Sequence, residues 1–257
     1  PTAGTVPCDL HALGLGEPNE RFCTKVAGLP YRPRYAKWPI YVDGTPYLFL
    51  CQFNFSESRD LFGSLPGDVL LVFSRTGIPQ TETAAEMYFE WQSLGLSDLP
   101  TTSDVPRFDW EWFCGYGRPC RTFDFVDVKT VVAEFERRLV SCSDWQDTIP
   151  AYTWNAARFL GLKIGGLPCW QADSPSDALW GNGFFPDQDS NLSLTYLGGL
   201  GTIGPKEDIK MPWLNIEFPI PFSEVVYPSQ FLNFYDGFYV HLFLDLNDEV
   251  RWALEFP

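Results

Sequence analysis

Hydrophobic positions along this chain fall into short dense runs, with polar or Gly/Pro-rich stretches between them. Tyr47–Phe55 reads as a strand, and Val69–Phe73 (VLLVF) is apolar throughout, the pattern of a strand covered on both faces. Near the C-terminus HLFLDL turns through Asn247-Asp248 into EVRWALEF. There Val250, Trp252, Leu254 and Phe256 alternate onto one face, which predicts a hairpin. Leu214–Ile220 reads as a further strand. The segment EMYFEWQSL has a helix-like composition, but its aromatic residues and its place after a Gly/Pro turn predict a strand. Two stretches carry helical periodicity. Asp127–Val140 places Val128, Val131, Val132, Phe135 and Leu139 on one stripe behind Asp127 as N-cap, and Ile149–Leu160 follows as a second helix.

A six-residue pattern occurs twice, as Lys25-Val26-Ala27-Gly28-Leu29-Pro30 and as Lys163-Ile164-Gly165-Gly166-Leu167-Pro168. Each copy is followed by an apolar run ending in Phe-Ser-Glu (Phe55-Ser56-Glu57 and Phe222-Ser223-Glu224). A Gly-Asp or Asp-Gly turn and another apolar strand come next, VLLVF after Gly67-Asp68 and FYVHLFL after Asp236-Gly237. Landmarks recurring in the same order imply an internal duplication, with Gly28 and Gly166 placed where the backbone needs a positive φ or a close approach. The expected organisation is one compact α+β domain, mostly antiparallel. Residues 1–24 are an irregular lead-in, 25–126 a first β unit, 127–162 a helical connection and 163–257 a second β unit with a long acidic surface loop at 172–210.

Composition narrows the classes. With 45% hydrophobic and 20% charged residues the chain is neither disordered nor fibrous, and no apolar stretch is long enough for a membrane-spanning helix. The 10 Trp, 11 Tyr and 22 Phe favour strands. The net charge of −15 argues against nucleic-acid binding. It is unevenly spread: residues 173–257 hold 13 acids against 3 bases, which points to solubility or to steering of a basic partner. Seven scattered Cys and only two His leave no zinc set. A Cys51 buried in YLFLCQF reads as a reduced thiol, so a reducing, cytoplasmic setting is expected. The chain opens at Pro1 without Met, and a removed start is expected.

KVAGLP with the following Trp38-Pro39, PYLFLCQFNFSE, LPGDVLLVF, KIGGLPCWQ and the closing DGFYVHLFLDLNDEVRWALEF together resemble the YwqG-like family of bacterial proteins, a family of unknown function. The resemblance runs from about residue 25 to the C-terminus. It implies a mostly antiparallel α+β fold with internal pseudo-symmetry and brings no established catalytic residues. Family members can be encoded near polymorphic-toxin genes, which implies an immunity or accessory role. This chain departs in its many Cys and at Cys169-Trp170-Gln171.

Candidate chemistry is sparse. Gly199-x-Gly201-x-x-Gly204 fits a dinucleotide fingerprint formally, but Pro212 would end any helix opening there, so a flexible loop is expected. Asp187-x-Asp189-x-Asn191 opens like a calcium loop and then lacks the Gly and the bidentate Glu. Asp109 and Glu111, two positions apart on a strand, lie roughly 6.6 Å apart along it, near the carboxyl spacing of inverting glycosidases. His241 reads as a sheet-face histidine, and Cys114 and Cys120 as two ordinary thiols. The function expected is a non-enzymatic protein-binding module, an immunity or accessory protein for a basic partner. It would use Asp187, Asp189, Glu207 and Asp208 with Trp170 and Trp180, and Gly28, Leu29, Pro30, Gly166, Leu167 and Pro168 as the structural motif. No cofactor, metal, nucleic acid or membrane is expected. The alternatives are a carbohydrate-binding module or glycosidase using Asp109 and Glu111, and a structural subunit of a larger assembly.

Overall fold

The computed structural model describes residues 5–11, 14–75, 86–107, 114–125, 162–168, 179–180, 193–201 and 239–255. In chain order the strands are β1 (Thr5–His11), β2 (Gly14–Leu15), β3 (Lys25–Val26), β4 (Leu48–Asn54), β5 (Val69–Ser74), β6 (Met87–Gln92), β7 (Gly115–Tyr116), β8 (Pro119–Phe125), β9 (Leu162–Gly165), β10 (Leu179–Trp180), β11 (Thr195–Gly201), β12 (Tyr239–Leu244) and β13 (Val250–Glu255). They form a seven-stranded sheet, β10-β13-β12-β11-β9-β1-β8, and a six-stranded sheet, β2-β7-β3-β4-β5-β6. Every pairing is antiparallel.

The α+β expectation is therefore corrected. Among the described residues there is no α-helix, only a single 3₁₀ turn at Arg59–Leu61. The physical reason is that the apolar runs of β4, β5, β9 and β12 are buried at every position, as the inner strands of two packed sheets. The helices expected over Asp127–Val140 and Ile149–Leu160, and the strand expected at Leu214–Ile220, lie outside the described residues. The expected surface loop at 172–210 is also corrected in part. Residues 195–201 form β11 in the middle of the larger sheet, with Leu197 and Leu200 buried.

One ribbon ties the sheets together. Thr5 pairs with Phe125 and His11 with Pro119 in the larger sheet; Gly14 pairs with Tyr116 and Leu15 with Gly115 in the smaller. The register never slips, so the two segments form one antiparallel ribbon that crosses from sheet to sheet. On either side of it the strand orders correspond. β3-β4-β5-β6 extends from β7, and β9-β11-β12-β13 extends from β1. Cross-strand rows match as well: Lys25, Gln52, Leu71 and Glu90 in one sheet, Lys163, Gly199, His241 and Ala253 in the other.

The main core lies between the sheets. Val26, Leu50, Phe53, Leu70 and Val72 meet Ile164, Leu197, Val240, Leu242 and Trp252 there. Each such side chain contributes roughly 1.5–3 kcal/mol when fully buried. β5 is apolar at almost every position because Val69, Leu71 and Phe73 face the other way, into a second cluster with Tyr31, Tyr47 and Phe49. Trp38 closes that cluster edge-on to Phe73, with ring centroids 5.6 Å apart.

Candidate functional site

The repeated six-residue pattern builds the same small structure twice. In the first copy Ala27 and Gly28 are both left-handed, at φ 51° and 73°; in the second Gly165 and Gly166 are, at φ 72° and 77°. Two successive left-handed residues curl the chain back, so that the lysine two or three residues earlier meets the turn that follows. Lys25 Nζ donates to the Leu29 carbonyl at 2.5 Å, and Lys163 Nζ to the Leu167 carbonyl at 2.8 Å.

Each lysine also meets a carboxylate that comes from outside the motif. Lys25 pairs with Glu17, which also accepts the Leu29 N–H at 3.0 Å. Lys163 pairs with Asp124 at 2.8 Å, and Asp124 accepts the Leu167 N–H at 2.8 Å. A β-carbon on Gly28 would strike Glu17 Oε2 and lie 2.6 Å from Cys114 Sγ. One on Gly166 would strike Asp124 Oδ2 and lie 2.9 Å from Cys8 Cβ. The two cradles therefore share a buried ammonium, a leucine amide, a glycine with no room for a side chain and a neighbouring cysteine.

The electrostatics follow from burial. Both ammonium groups are shut away, with the Lys25 side chain 0% and the Lys163 side chain 2% exposed. Burial carries the Lys25 ammonium below its ordinary pKa against the pull of Glu17. At Lys163 burial acts the same way, but Tyr239 and Asp124 outweigh it and the net direction is up. Burial, then the Glu17 charge, pushes the Cys114 thiol up to about 12. Burial, then Asp124, raises Cys8 as well. Cys8, Cys23, Cys51, Cys114 and Cys120 are all free thiols.

Between the cradles, Asp9 on β1 is buried and accepts Ser58 Oγ at 2.6 Å and Arg121 Nε at 2.6 Å, and Arg121 reaches on to Asp60. His11 is buried with its Nδ1 unpartnered, and desolvation lowers its pKa to about 4. On the outer side of the larger sheet, His241 stands among Tyr196, Tyr239 and Phe243, with Tyr196 Oη 3.3 Å from His241 Nδ1. Tyr239 lies over Gly199, where a β-carbon would be 2.5 Å from the phenol oxygen. Gly199 and Gly201 of the formal dinucleotide fingerprint are thus strand residues, not a flexible loop, and Gly199 makes room for a ring.

Two neighbouring exposed apolar side chains mark a different place. Ile40 and Val42 are 63% and 91% exposed, on a short hairpin closed by the Ile40–Pro46 bridge. Tyr41 between them donates its N–H to the Thr45 carbonyl at 2.8 Å and packs its ring on Tyr47 and under the Arg75 guanidinium. Arg75 in turn pairs with Asp43 and Glu86. The buried Tyr47 ring in turn contacts Tyr88 on β6, which is 40% exposed.

Of the residues expected from sequence to form the site, Asp187, Asp189, Glu207, Asp208, Trp170, Asp109 and Glu111 lie outside the described residues. Trp180 sits in β10 opposite Ala253. The motif residues Gly28, Leu29, Gly166 and Leu167 are all in the cradles. Lys25, Lys163, Glu17, Asp124, Cys8 and Cys114 were missed, although a lysine fixed in both copies of an otherwise apolar pattern was the available signal.

Residues 24–92 match a domain of unknown function, DUF1963. The DUF1963 segment starts one residue before β3 and ends on the last residue of β6, so it covers four of the six strands of the smaller sheet with Lys25, Gly28 and the Ile40–Pro46 hairpin. The ribbon residues Glu17 and Cys114, which complete the first cradle, fall outside it. No curated protein matches the chain.

Proposed function

We propose that this chain is a non-enzymatic protein-recognition module that docks a partner with a basic surface on the Ile40–Pro46 hairpin and the adjoining Tyr88. The observation that carries this reading is the display of Ile40 and Val42 on a braced hairpin. Trp38 Nε1 donates to the Tyr47 carbonyl at 2.7 Å, and Tyr47 N–H to the Pro39 carbonyl at 3.0 Å. Asp43 accepts both the Thr45 N–H and Arg75. A braced hairpin loses little freedom on binding, and the adjoining Tyr41, Tyr88 and Arg75 are of the residue types enriched in interface hot spots.

The charge of the partner rests on the chain's net −15, with Asp43 and Glu86 at the rim of the patch. Asp187, Asp189, Glu207 and Asp208 would add steering from the C-terminal third. The ordered landmarks favour a place among YwqG-like proteins, and a cytoplasmic accessory or immunity role agrees with a module of this kind. The test is comparative co-purification from native extract with the wild-type chain and an Ile40→Ser/Val42→Ser variant as baits. A basic protein retained stoichiometrically by the wild type and lost by the variant is expected. Equal retention by both would overturn the assignment of this surface.

A further inference from the structure

We infer that the two cradles are carboxylate-binding sites in their own right, which the chain fills from within with Glu17 and Asp124. What is constant between the two halves is the cradle; what varies is the occupant. Both cradles present a buried lysine ammonium, a leucine N–H four residues after that lysine and a left-handed glycine whose missing β-carbon makes the space for an oxygen. In both, a cysteine and the same carboxylate crowd the glycine together.

The occupants differ in length and origin. Glu17 follows β2 and reaches in with one more methylene, whereas Asp124 belongs to β8. Both carboxylates are partly open to solvent, at 31% and 21% exposure, while the lysines beneath them are closed off. A buried ammonium without a counter-charge is too costly to keep. Each cradle therefore demands an anion: Glu17 answers the ammonium with Oε1 and the amide with Oε2, whereas Asp124 answers both with Oδ2, and in both the group that does so is a carboxylate.

The experiment removes one occupant at a time, as Glu17→Ala and Asp124→Ala in the full chain, and supplies sodium acetate or formate at neutral pH. Melting curves are compared with sodium chloride at equal ionic strength and with acetamide, which has the shape of acetate without its charge. Each variant is expected to show a saturating rise in melting temperature with acetate and formate, absent with chloride and acetamide and absent in the wild type. Adding Lys25→Met to Glu17→Ala is expected to abolish the response. Should a variant not fold in chloride, the yield on refolding in acetate becomes the readout, and recovery of folded protein is expected. Variants that respond to acetate no more than the wild type does, that respond equally to chloride or acetamide, or that fail to refold in acetate would overturn the inference.

Discussion

Gly166→Ala separates two costs within one cradle. Gly166 sits at φ 77°, and a β-carbon there would strike Asp124 Oδ2 and come within 2.9 Å of Cys8 Cβ. The left-handed backbone alone costs an alanine about 1–2 kcal/mol. The collision adds a second cost, because Asp124 must leave a lysine that is 2% exposed. Losing one partner of a buried ion pair costs roughly 3–5 kcal/mol. Asp124 is 21% exposed and can swing outward while keeping part of its attraction, so about half of that is expected. The sum is about 2.5–4.5 kcal/mol, a fall in melting temperature on the order of 10 °C for a chain of this size. Gly44 supplies the control, with φ 88° and nothing within 4 Å of an added β-carbon. Gly44→Ala is expected to cost only the backbone share, about 1–2 kcal/mol. Urea unfolding midpoints with unchanged m-values measure both. In an Asp124→Ala background the cost of Gly166→Ala is expected to fall toward the Gly44 value, since the two sites are coupled. Equal costs for Gly166→Ala and Gly44→Ala in the wild-type background would refute the wedged carboxylate.

Two further outcomes are expected. His11 is held near pKa 4 by burial against an ordinary value of 6.5, so the unfolded chain takes up its proton first as pH falls. Its share of stability is complete above pH 6.5 and is lost between 6.5 and 4, on the order of 3 kcal/mol. His11→Phe should flatten the dependence of the urea midpoint on pH across that window, and an unchanged slope would contradict the assignment. Asp9→Asn removes the buried charge that receives Ser58 and the Arg121 fork and is expected to cost about 2–3 kcal/mol. Asp60→Asn, at the exposed end of the same network, should shift the urea midpoint far less.

The strands of the DUF1963 segment and the closing hairpin were legible from local pattern. Tyr47–Phe55 contains β4, VLLVF lies in β5, EMYFEWQSL contains β6, and the alternation of Val250, Trp252 and Leu254 is that of β13. Covering on both faces made VLLVF uniform, and that too is readable. The partner of β9 was not. The stretch 172–210 is rich in Gly and Asp, and LGGLG carries no β-branched residue, yet it pairs on both sides as β11 because Gly198 and Gly199 admit the Lys163 backbone and the Tyr239 ring. The α+β class rested on helical stripes at 127–140 and 149–160, whereas the described residues are antiparallel sheet throughout. The cradles were half legible: repetition exposed the motif, but Glu17 and Asp124 reach it through the crossing ribbon, a long-range register that no local pattern encodes. The exposed Ile40 and Val42 could not be told from core residues by composition, since only the bridge to Pro46 turns them outward.

The central claim, that the hairpin is a docking surface, is tested most directly by a photo-activated cross-linking amino acid placed at Val42 in native cells, with the same group at Leu246 as control. Both positions are exposed, at 91% and 72%, so chance collisions should label them alike. The expected result is one discrete cross-linked protein of basic surface from position 42, absent from position 246 and lost when Ile40→Ser is added. The same products from both positions, or none from position 42, would contradict the account.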